Sequence, residues 1–520
     1  MKIFFRVDAS VRMGIGHFMR CLTLADALRE RGAELLFITR KHEGNLITLL
    51  KQRGIPVRVL PVPVQIAEDT ENEDYENWLG VTQAEDADQT IKALNGEKPD
   101  WLVIDHYGLN VGWEKRMRQN VGKIMVIDDL ANRQHDCNIL LDQNYSEKDE
   151  LRYKGLIPDA GKLLVGQRYA LLHSAYATHL KTLQVRDGQV RRVLVFFGGS
   201  DSHNITGLVL EALSEPELSH LHVDVIIGTY NPHKQLLEDM ALHRPYTTIY
   251  GLHPHLADLM ARVDLAIGAS GATIWERMCL GLPSIVITTA ENQKPIAEAL
   301  KKVNLIQYIG HYTGIDKNLL SQKIVQIIND PECLTEMSVR NQLQVDGYGV
   351  NRVTEVIYPT NAIALQMRPA ISDDCILYYH WVNDPAVRES AMNSQSISWQ
   401  SHSEWFSNKI QDEHTSLFVL EAAGLPIGQI RFEEIGDEAW IDYSLDSIVR
   451  GRGWGTRLVA LGMDLLRSDK PVHFCAEVKP NNKVSRSIFL RLGFVEKEDR
   501  GKVFYYDNLK SSKLAERLHS

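Results

Sequence analysis

Cysteine is scarce in this chain of 520 residues, and long hydrophobic runs are absent. The six cysteines are scattered and form no Cys-x-x-Cys pair, which predicts reduced thiols in a cytoplasmic protein rather than a disulfide framework or a zinc site. No apolar run approaches the roughly 18–20 residues that a membrane span requires. Charge interrupts residues 1–8 too early for a secretory signal. We therefore expect no membrane partner.

Basic charge is also in short supply. Lysine and arginine total 57 and aspartate and glutamate total 67, so the formal net charge is −10, which argues against a general nucleic-acid binder. Apolar residues make up 44% of the chain and charged residues 24%, which excludes disorder over most of its length. At about 100–200 residues per domain, the length predicts about three domains. A monomer or a weak homodimer is the expected state, although no sequence feature decides between them.

The pattern along the chain divides into three parts. Residues 1–185 alternate short apolar strands with helical patterns, and residues 186–358 repeat that alternation. This predicts two Rossmann-like α/β domains, each with a parallel sheet covered by helices. Near Thr360 the pattern changes, and residues 366–520 resemble a helix followed by antiparallel strands, which predicts an α+β domain. Ligands of open α/β sheets bind at the carboxyl ends of strands, so we expect a cleft between the first two domains.

Two glycine-rich turns are candidate ligand sites. Gly14-Ile15-Gly16-His17 lies at a strand-to-helix turn, where bare backbone and helix amides favour a phosphate or a sugar beside an imidazole. The alternative is a tight turn whose histidine caps or packs.

The second turn, residues 268–276, follows an apolar strand and opens a helix. Its small residues allow a diphosphate to approach the helix amides, and Glu276 could accept both ribose hydroxyls. Asn292 and Gln293, after the next strand, could reach the same ligand. The alternative is a βα turn with a charged surface glutamate.

Both turns belong to a larger set of motifs that resembles one enzyme family. The set includes Phe5-Arg6-Val7-Asp8-Ala9-Ser10, Gly14-x-Gly16-His17-x-x-Arg20, Asp105-His106-Tyr107-Gly108-Leu109, Asp128-Asp129-Leu130-Ala131 and Asp142-Gln143-Asn144-Tyr145. Over about residues 1–355 the chain is similar to the UDP-2,4-diacetamido-2,4,6-trideoxy-β-L-altropyranose hydrolases of pseudaminic acid biosynthesis. The resemblance implies a glycosyltransferase B-type fold in which water attacks the anomeric carbon and UDP leaves.

The same resemblance implies roles for individual residues. His17 matches the catalytic histidine and is the candidate base, and Asp8 is the next candidate. Arg6, at the end of the same strand, could orient the base or the sugar. The other residues expected to bind the UDP-sugar are Gly14, Gly16, Arg20, Gly198, Ser200, Ser270, Gly271, Thr273, Glu276, Asn292 and Gln293. No metal is required by this layout.

A third motif precedes an amphipathic helix in the last part of the chain. Arg450-Gly451-Arg452-Gly453-Trp454-Gly455-Thr456 resembles the acyl-CoA pyrophosphate loop of GNAT acetyltransferases, in which glycines let phosphate reach helix amides. The alternative is a basic turn that caps a helix. Asn482-x-x-Ser485 and Leu492-Gly493-Phe494 also resemble GNAT motifs and imply acetyl-CoA as co-substrate.

Further segments are candidates for the acceptor site and for the acid of acetyl transfer. Segments containing Trp381, Arg388, His402 and Trp405 look like the acceptor-binding helices of the GNAT branch that acetylates UDP-4-amino sugars. Many GNAT enzymes have a tyrosine as general acid where this chain has Phe489. Tyr505 and Tyr506 are candidate replacements, as is Ser485. For Glu433, Glu434 and Asp442, a solvated strand face is favoured over a catalytic base.

Together the resemblances imply a bifunctional enzyme of pseudaminic acid biosynthesis. The last domain would acetylate the 4-amine of a UDP-linked amino sugar, and the first two would hydrolyse the diacetamido product. One rival is a glycosyltransferase fused to an acetyltransferase. Another is a UDP-sugar-binding module fused to a protein N-terminal acetylase.

Overall fold

A computed structural model describes residues 1–62, 75–145, 149–180, 182–183, 185–228, 231–251, 253, 255–361, 364–469, 472–499 and 502–507. The chain divides into two compact units, Met1–Thr354 and Glu355–Ser520. Residues 508–520, which the sequence assigns to the last domain, lie outside the described part. None of the helices in the described ranges is both long and apolar enough to span a membrane.

The first sheet is parallel and has the strand order β3-β2-β1-β4-β5-β6-β7. Its strands are β1 Lys2–Val7, β2 Glu34–Arg40, β3 Val57–Leu60, β4 Trp101–Asp105, β5 Lys123–Ile127, β6 Ile139–Asp142 and β7 Lys162–Val165. Helices cover both faces, so the strands are nearly continuous apolar runs. The order reverses between β1 and β4, and this switch point leaves an open crevice at the strand ends.

The second sheet is also parallel, with the order β10-β9-β8-β11-β12-β13. Its strands are β8 Arg192–Phe196, β9 His222–Ile227, β10 Thr247–Gly251, β11 Leu265–Gly268, β12 Ser284–Thr288 and β13 Gln307–His311. Its order reverses between β8 and β11. The two predicted glycine loops of this domain follow these two strands and therefore lie at its switch point.

Fourteen helices follow the strands of these two sheets within the described ranges. They are α1 Gly16–Glu30, α2 Ile47–Gln52, α3 Gln83–Leu94, α4 Val111–Met117, α5 Asp149–Arg152, α6 Ser174–Leu180, α7 Ile205–Leu213, α8 Lys234–His243, α9 Ala257–Ala261, α10 Thr273–Cys279, α11 Lys294–Lys302, α12 Lys317–Ile328, α13 Pro331–Gln342 and α14 Gly349–Ile357. Short 3-10 helices are Tyr75–Leu79, Gln167–Tyr169, Glu291–Gln293 and Tyr312–Gly314. The boundary between the two compact units falls inside α14.

Side chains join the two parallel-sheet domains into one unit. The Trp275 indole donates to Oδ1 of Asn144 at 3.2 Å, and the Gln167 amide donates to the Gln344 amide oxygen at 2.6 Å. Arg352, on α14, donates to the carbonyl of Arg168 at 2.9 Å. The two parallel sheets confirm the expected pair of Rossmann-like domains.

The second unit is built on one mixed sheet with the order β14-β15-β16-β17-β18-β20-β19. Its strands are β14 Leu365–Pro369, β15 Thr415–Ala422, β16 Leu425–Ile435, β17 Glu438–Leu445, β18 His473–Val478, β19 Val495–Asp499 and β20 Lys502–Tyr506. Its helices are α15 Cys375–Asn383, α16 Pro385–Ser390, α17 Trp399–Lys409, α18 Trp454–Asp469 and α19 Lys483–Arg491, with 3-10 turns at Ser372–Asp374 and Ser447–Val449. The expected α+β domain is confirmed, but it begins with a strand rather than a helix.

Within this sheet, β17 and β18 are parallel and diverge. Their pairing ends at Trp440 and Cys475, although β17 continues to Leu445 and β18 to Val478. The rest of β17 stays paired with β16 on its other side. The divergence opens a gap in the sheet whose edges carry backbone donors and acceptors, which suits an extended ligand that contains amides.

Close backbone packing positions the glycine loop of the second domain. Gly228 follows β9, and a Cβ atom at that position would lie 1.9 Å from the carbonyl oxygen of Gly199. Glycine is therefore required where these two strand ends approach each other.

We expect Gly228→Ala to lower the free energy of unfolding, because the added methyl group forces the Gly199 loop to move. Overpacking of this kind typically costs about 1–3 kcal/mol, and urea denaturation of the purified protein measures it. Gly251→Ala is the matched control, since a Cβ there meets nothing within 4 Å. Equal stability of the two variants would contradict the packing argument.

Candidate active sites

A histidine–aspartate pair lies at the switch point of the first sheet. His17 is in the first turn of α1, and Asp105 is the last residue of β4. The Nδ1 atom of His17 is 2.6 Å from Oδ1 of Asp105. With Nδ1 held by the carboxylate, Nε2 is the ring nitrogen that remains for a water molecule or a substrate. The pair therefore has the geometry of a general base and the carboxylate that orients it.

Arg20 fixes the carboxylate of this pair. Its Nε and Nη2 atoms donate to the two oxygens of Asp105 at 2.6 and 2.7 Å, and Nη1 contacts Asp129 at 3.4 Å. Burial alone would raise the pKa of Asp105, but the charges and hydrogen bonds of Arg20 and His17 hold it far below its usual range. Arg20 was predicted to bind substrate; its guanidinium instead holds Asp105.

Asp8 and Arg6 belong to a separate buried network, which corrects two predictions. Arg6 is fully buried between Asp8, at 2.6 Å, and Asp86, at 2.7 Å, so its side chain cannot contact a substrate. Asp8 also accepts from the backbone amide of Arg40 at 2.6 Å. Burial opposes ionisation of Asp8, yet the Arg6 charge lowers its pKa well below the ordinary value. A carboxylate held this way is a poor base.

Three aromatic side chains that the sequence analysis did not single out as site residues surround His17. The Tyr107 ring lies edge-on to the imidazole at a centroid distance of 4.5 Å, and the Trp78 ring lies at 6.3 Å. The Tyr75 ring packs against the rings of Tyr107 and Trp78, at centroid distances of 5.1 and 4.9 Å. Tyr107 also donates a hydrogen bond to Asp129. Trp78 is half-buried, so its ring offers apolar surface beside the base.

The Gly14–Gly16 turn of the first domain faces the Gly198–Ser200 loop of the second domain. Gly14 has a positive φ of 72°, and α1 begins at Gly16 without a side-chain cap on its first amides. The Cδ1 atom of Ile15 lies 3.9 Å from the position that a Cβ on Gly199 would occupy. The uncapped helix terminus and the loop that contains Gly198 and Ser200 therefore lie on either side of one narrow space, which favours an anion.

The loop before α10 is shaped from behind by a buried arginine. Arg277 donates to the carbonyl of Ala269 at 2.6 Å and to that of Thr273 at 3.3 Å, which fixes the curve that carries Ser270 and Gly271. Burial lowers the pKa of Arg277 to about 10. The Oγ atom of Ser270 is buried and has no hydrogen-bond partner among the described residues.

Glu276, like Ser270, has a buried polar atom for which the described residues provide no hydrogen-bond partner. Its carboxyl is hydrogen-bonded by Tyr176, whose phenol oxygen accepts from the Leu256 amide at 3.1 Å. Oε2 of Glu276 is buried without a partner in the described part of the chain. Burial raises the pKa of this carboxyl, so a ligand that donates hydrogen bonds to it would favour the ionised form.

The two residues predicted from the following strand differ in placement. Gln293 turns back, and its Oε1 accepts from the Thr289 amide at 3.0 Å. Asn292 is exposed. The motif at residues 142–145 is structural where its contacts are described: Gln143 accepts from the Leu171 amide at 3.1 Å, and Asn144 receives the Trp275 indole.

In the second unit, the predicted acetyl-CoA loop has the backbone that its glycines suggest. Gly451 and Gly453 have φ values of 80° and 76° and are exposed, and α18 begins immediately afterwards at Trp454. Gly455 is packed so closely that a Cβ there would be 2.7 Å from Cδ1 of Ile488 and 3.8 Å from Cδ1 of Leu445. The loop is therefore held against the end of β17 and against α19.

Protein contacts occupy the side chains of the two arginines of this loop, both of which were predicted as acetyl-CoA-binding residues. Arg450 donates to the carbonyl of Leu445 at 2.9–3.0 Å and pairs with Asp384 at 2.9 Å. Arg452 pairs with the buried Glu355 at 2.5 Å and lies over the Trp454 ring at 5.1 Å. The backbone amides of the loop, up to and including that of Thr456, remain as candidate phosphate ligands.

Of the four predicted acceptor residues, two are buried in the core and two are partly exposed. Trp381 is buried and donates to Asp446 at 3.3 Å, and the buried His402 contacts the Cys375 carbonyl at 3.0 Å. Both are core residues, contrary to prediction. Arg388 contacts the carbonyls of Asn393 and Gln395. Trp405 is half-buried, and its ring lies 5.1 Å from the Arg431 guanidinium.

The hydroxyl groups near α19 lie in different surroundings. Asn482 caps the helix by accepting from the Ser485 amide at 3.1 Å. The Ser485 hydroxyl accepts a hydrogen bond from Tyr443 at 2.9 Å, a contact that the sequence did not reveal. Tyr505 is buried, stacks on Phe489 at 5.2 Å and donates to Glu496. Tyr506 follows it on β20, so its side chain points to the opposite face of the sheet.

Comparisons with known proteins bear on both units. The glycosyltransferase family 28 C-terminal domain matches residues 193–348, and the GNAT acetyltransferase domain matches residues 364–495. A UDP-2,4-diacetamido-2,4,6-trideoxy-β-L-altropyranose hydrolase of Campylobacter jejuni is 26% identical over 304 residues, which cover 58% of this chain and 97% of the relative.

Two further relatives cover more of the chain. An uncharacterized protein of Methanocaldococcus jannaschii is 23% identical over 516 residues, 95% of this chain and 96% of the relative. A spore coat polysaccharide biosynthesis protein of Bacillus subtilis is 20% identical over 362 residues, 69% of this chain and 98% of the relative. The predicted resemblance is confirmed: the chain is similar to that hydrolase over nearly the whole length of the hydrolase, and its residues 364–495 match the GNAT acetyltransferase domain.

Proposed function

We propose that the protein carries out two consecutive steps on a nucleotide sugar of pseudaminic acid biosynthesis. The GNAT domain acetylates the 4-amine of UDP-4-amino-4,6-dideoxy-N-acetyl-β-L-altrosamine with acetyl-CoA. The glycosyltransferase B-type pair then hydrolyses the resulting UDP-2,4-diacetamido-2,4,6-trideoxy-β-L-altropyranose. The observation that carries the hydrolytic step is the His17–Asp105 pair, in which a buried carboxylate holds an imidazole that is partly exposed.

In the hydrolytic step, His17 removes a proton from water as the water oxygen attacks the anomeric carbon. The bond from that carbon to the phosphate oxygen breaks, and UDP leaves with its added negative charge. Asp105 stabilises the imidazolium that forms, so it is a positioning residue. The uncapped amides at the start of α1 are suited to stabilise the leaving diphosphate.

UDP is assigned mainly to the second domain. The unpartnered Ser270 Oγ and Glu276 Oε2 are buried polar atoms that a ligand would satisfy. A ribose carries vicinal hydroxyls, and a carboxylate accepts from both. Trp78 and Tyr75 offer apolar surface for the methyl groups of a 6-deoxy, acetamido sugar on the His17 side.

Acetyl transfer is assigned to the gap between β17 and β18. Its backbone edges suit the amides of the CoA arm, and the exposed glycine loop at its end suits the pyrophosphate. Trp405 and Arg431 border the surface on which the acceptor would lie. The amine nitrogen bonds to the acetyl carbon, and CoA leaves as a thiol.

The whole proposal is tested by supplying the purified full chain with the UDP-4-amino sugar and acetyl-CoA in ¹⁸O-labelled water. Mass spectrometry should show free CoA, then the UDP-diacetamido sugar, then UDP without ¹⁸O, since attack at carbon leaves the phosphate oxygens unlabelled. ¹⁸O in UDP would indicate attack at phosphorus. Release of UDP only after an added sugar acceptor would identify a glycosyltransferase, and acetylation of peptides alone would identify a protein acetylase.

His17→Ala should lower the hydrolytic turnover by at least about a hundredfold, because general-base catalysis typically contributes about 10²–10⁴-fold. UDP affinity, measured by calorimetry on the same preparation, should stay within a few-fold, and acetyl transfer should be unchanged. His220→Ala is the control, since it removes an exposed imidazole of the second domain. Near-wild-type hydrolysis by His17→Ala would contradict the assignment.

Asp105→Asn should also slow hydrolysis and, in addition, change its pH dependence. The amide keeps the size of the side chain but removes the negative charge beside the imidazolium, so the acid limb of kcat should move to lower pH. A residue with only a structural role would lower the active fraction without moving that limb. The measurement is the pH profile of kcat, with the melting temperature as the check on folding.

Glu276→Gln should weaken UDP binding by about ten- to a hundredfold, because hydrogen bonds to a charged acceptor contribute about 1.5–3 kcal/mol. The discriminating ligand is 2′-deoxy-UDP. The wild type should prefer UDP, and the variant should lose most of that preference. An unchanged preference would show that Glu276 does not contact the ribose.

A further inference from the structure

Acetyl transfer requires a proton for the departing CoA sulfur, and the residue expected to supply it is absent. Phe489 occupies the position of the usual tyrosine, is only 1% exposed and carries no hydroxyl. The predicted replacements were Tyr505, Tyr506 and Ser485. Of the two tyrosines, Tyr505 is buried, and its hydroxyl is engaged by Glu496. Burial and that hydrogen bond raise the pKa of Tyr505 to about 12. Tyr506 points to the sheet face opposite the one on which Tyr505 meets α19.

The hydroxyl pair of Tyr443 and Ser485 lies where the missing donor is needed. Tyr443 is on β17 beyond the point at which its pairing with β18 ends, so it borders the gap in the sheet. Ser485 is in the first turn of α19, and its backbone is fixed by the Asn482 cap. The tyrosine hydroxyl donates to the serine oxygen at 2.9 Å, and both side chains are half-buried rather than enclosed.

Packing brings this pair next to the candidate acetyl-CoA loop. Gly455, at the start of α18, is pressed between Leu445 at the end of β17 and Ile488 on α19. Leu445 is two residues after Tyr443, and Ile488 is three residues after Ser485. A ligand that starts at the exposed Gly451–Gly453 backbone and enters the gap therefore passes the hydroxyl pair.

We propose that Ser485 donates the proton to the CoA sulfur and that Tyr443 acts through it. This rests on the proposed acetyl transfer. When the tetrahedral intermediate collapses, the C–S bond breaks and the electron pair goes to sulfur. The Ser485 O–H protonates the thiolate, and the Tyr443 O–H passes its proton to the serine oxygen. The proton that the amine loses on forming the C–N bond returns to Tyr443 through solvent, so the count closes at amide plus free thiol.

The distance between the two hydroxyl oxygens supports this relay. At 2.9 Å either hydroxyl can donate to the other, so when Tyr443 donates, the serine hydrogen is available for a third group. Burial raises the pKa of Tyr443 to about 12, which keeps it protonated until the serine oxygen begins to acquire charge. The competing interpretation is a purely structural bond that ties α19 to β17, which would affect stability but not the proton-transfer step.

The test uses the full chain and whichever amine the wild type acetylates best among a UDP-4-amino sugar, simple amino sugars and peptides. If the wild type acetylates none of them, the slow hydrolysis of acetyl-CoA is followed instead, since it needs the same proton. Ser485→Ala should lower kcat by at least about tenfold, and Tyr443→Phe by a similar or smaller factor, within the usual range for acid–base groups. Calorimetric affinity for CoA should change less than about threefold.

Two further readouts separate catalysis from structure. Tyr443→Phe should have almost no additional effect in the Ser485→Ala background, since the two hydroxyls act as one unit, and it should alter the basic limb of the kcat–pH profile. Tyr378→Phe is the matched control: it also removes a buried phenol hydrogen bond, to the Phe418 carbonyl at 2.9 Å, but lies away from the gap. Additive effects of the two variants with an unchanged pH profile would overturn the relay.

The acceptor panel keeps this test distinct from the proposed function. A wild type that acetylates peptides but not the UDP-sugar would contradict the proposed substrate and leave the relay to be judged on the peptide. A wild type that acetylates the UDP-sugar, with kcat unaffected in both single variants, would retain the substrate and reject the relay.

Discussion

The contact on which the candidate hydrolytic site depends is the buried bidentate pair of Arg20 and Asp105. Two hydrogen bonds of 2.6 and 2.7 Å fix the carboxylate at the end of β4, and that carboxylate in turn fixes the His17 ring at 2.6 Å. Removing one partner of a buried pair is costly, because the other is left desolvated and unpaired. The strand end, the first turn of α1 and the imidazole are thus held as one rigid group, which is what a positioned base requires.

Local pattern was enough to predict the parts of this site that are continuous in sequence. The turns around Gly14 and Gly271 follow apolar strands and open helices, so their place at the switch points could be predicted without coordinates. The partners could not. Asp105 is 88 residues from His17, and Tyr176 is 100 residues from Glu276, so both contacts arise only when separate strands and helices pack together.

The errors have a common physical cause. Arg6, Trp381 and His402 are residue types that bind ligands well when exposed, but each lies on the buried face of its strand or helix. A polar or aromatic side chain in the core satisfies its donors with protein groups, as Trp381 does with Asp446. Periodicity locates the apolar face of an element but does not show which polar side chain that face includes.

The balance of charge differs between the surroundings of Asp8 and those of His17. Around Asp8, two carboxylates are matched by two guanidinium groups, Arg6 and Arg40, so the cluster is formally neutral and an added proton would unbalance it. Around His17, Asp105 and Asp129 face the single guanidinium of Arg20, which leaves a formal charge of about −1. The first domain therefore places two carboxylates at neighbouring strand ends in different surroundings: Asp8 lies in a charge-balanced buried cluster, and Asp105 lies beside the imidazole in a cluster with an excess of negative charge.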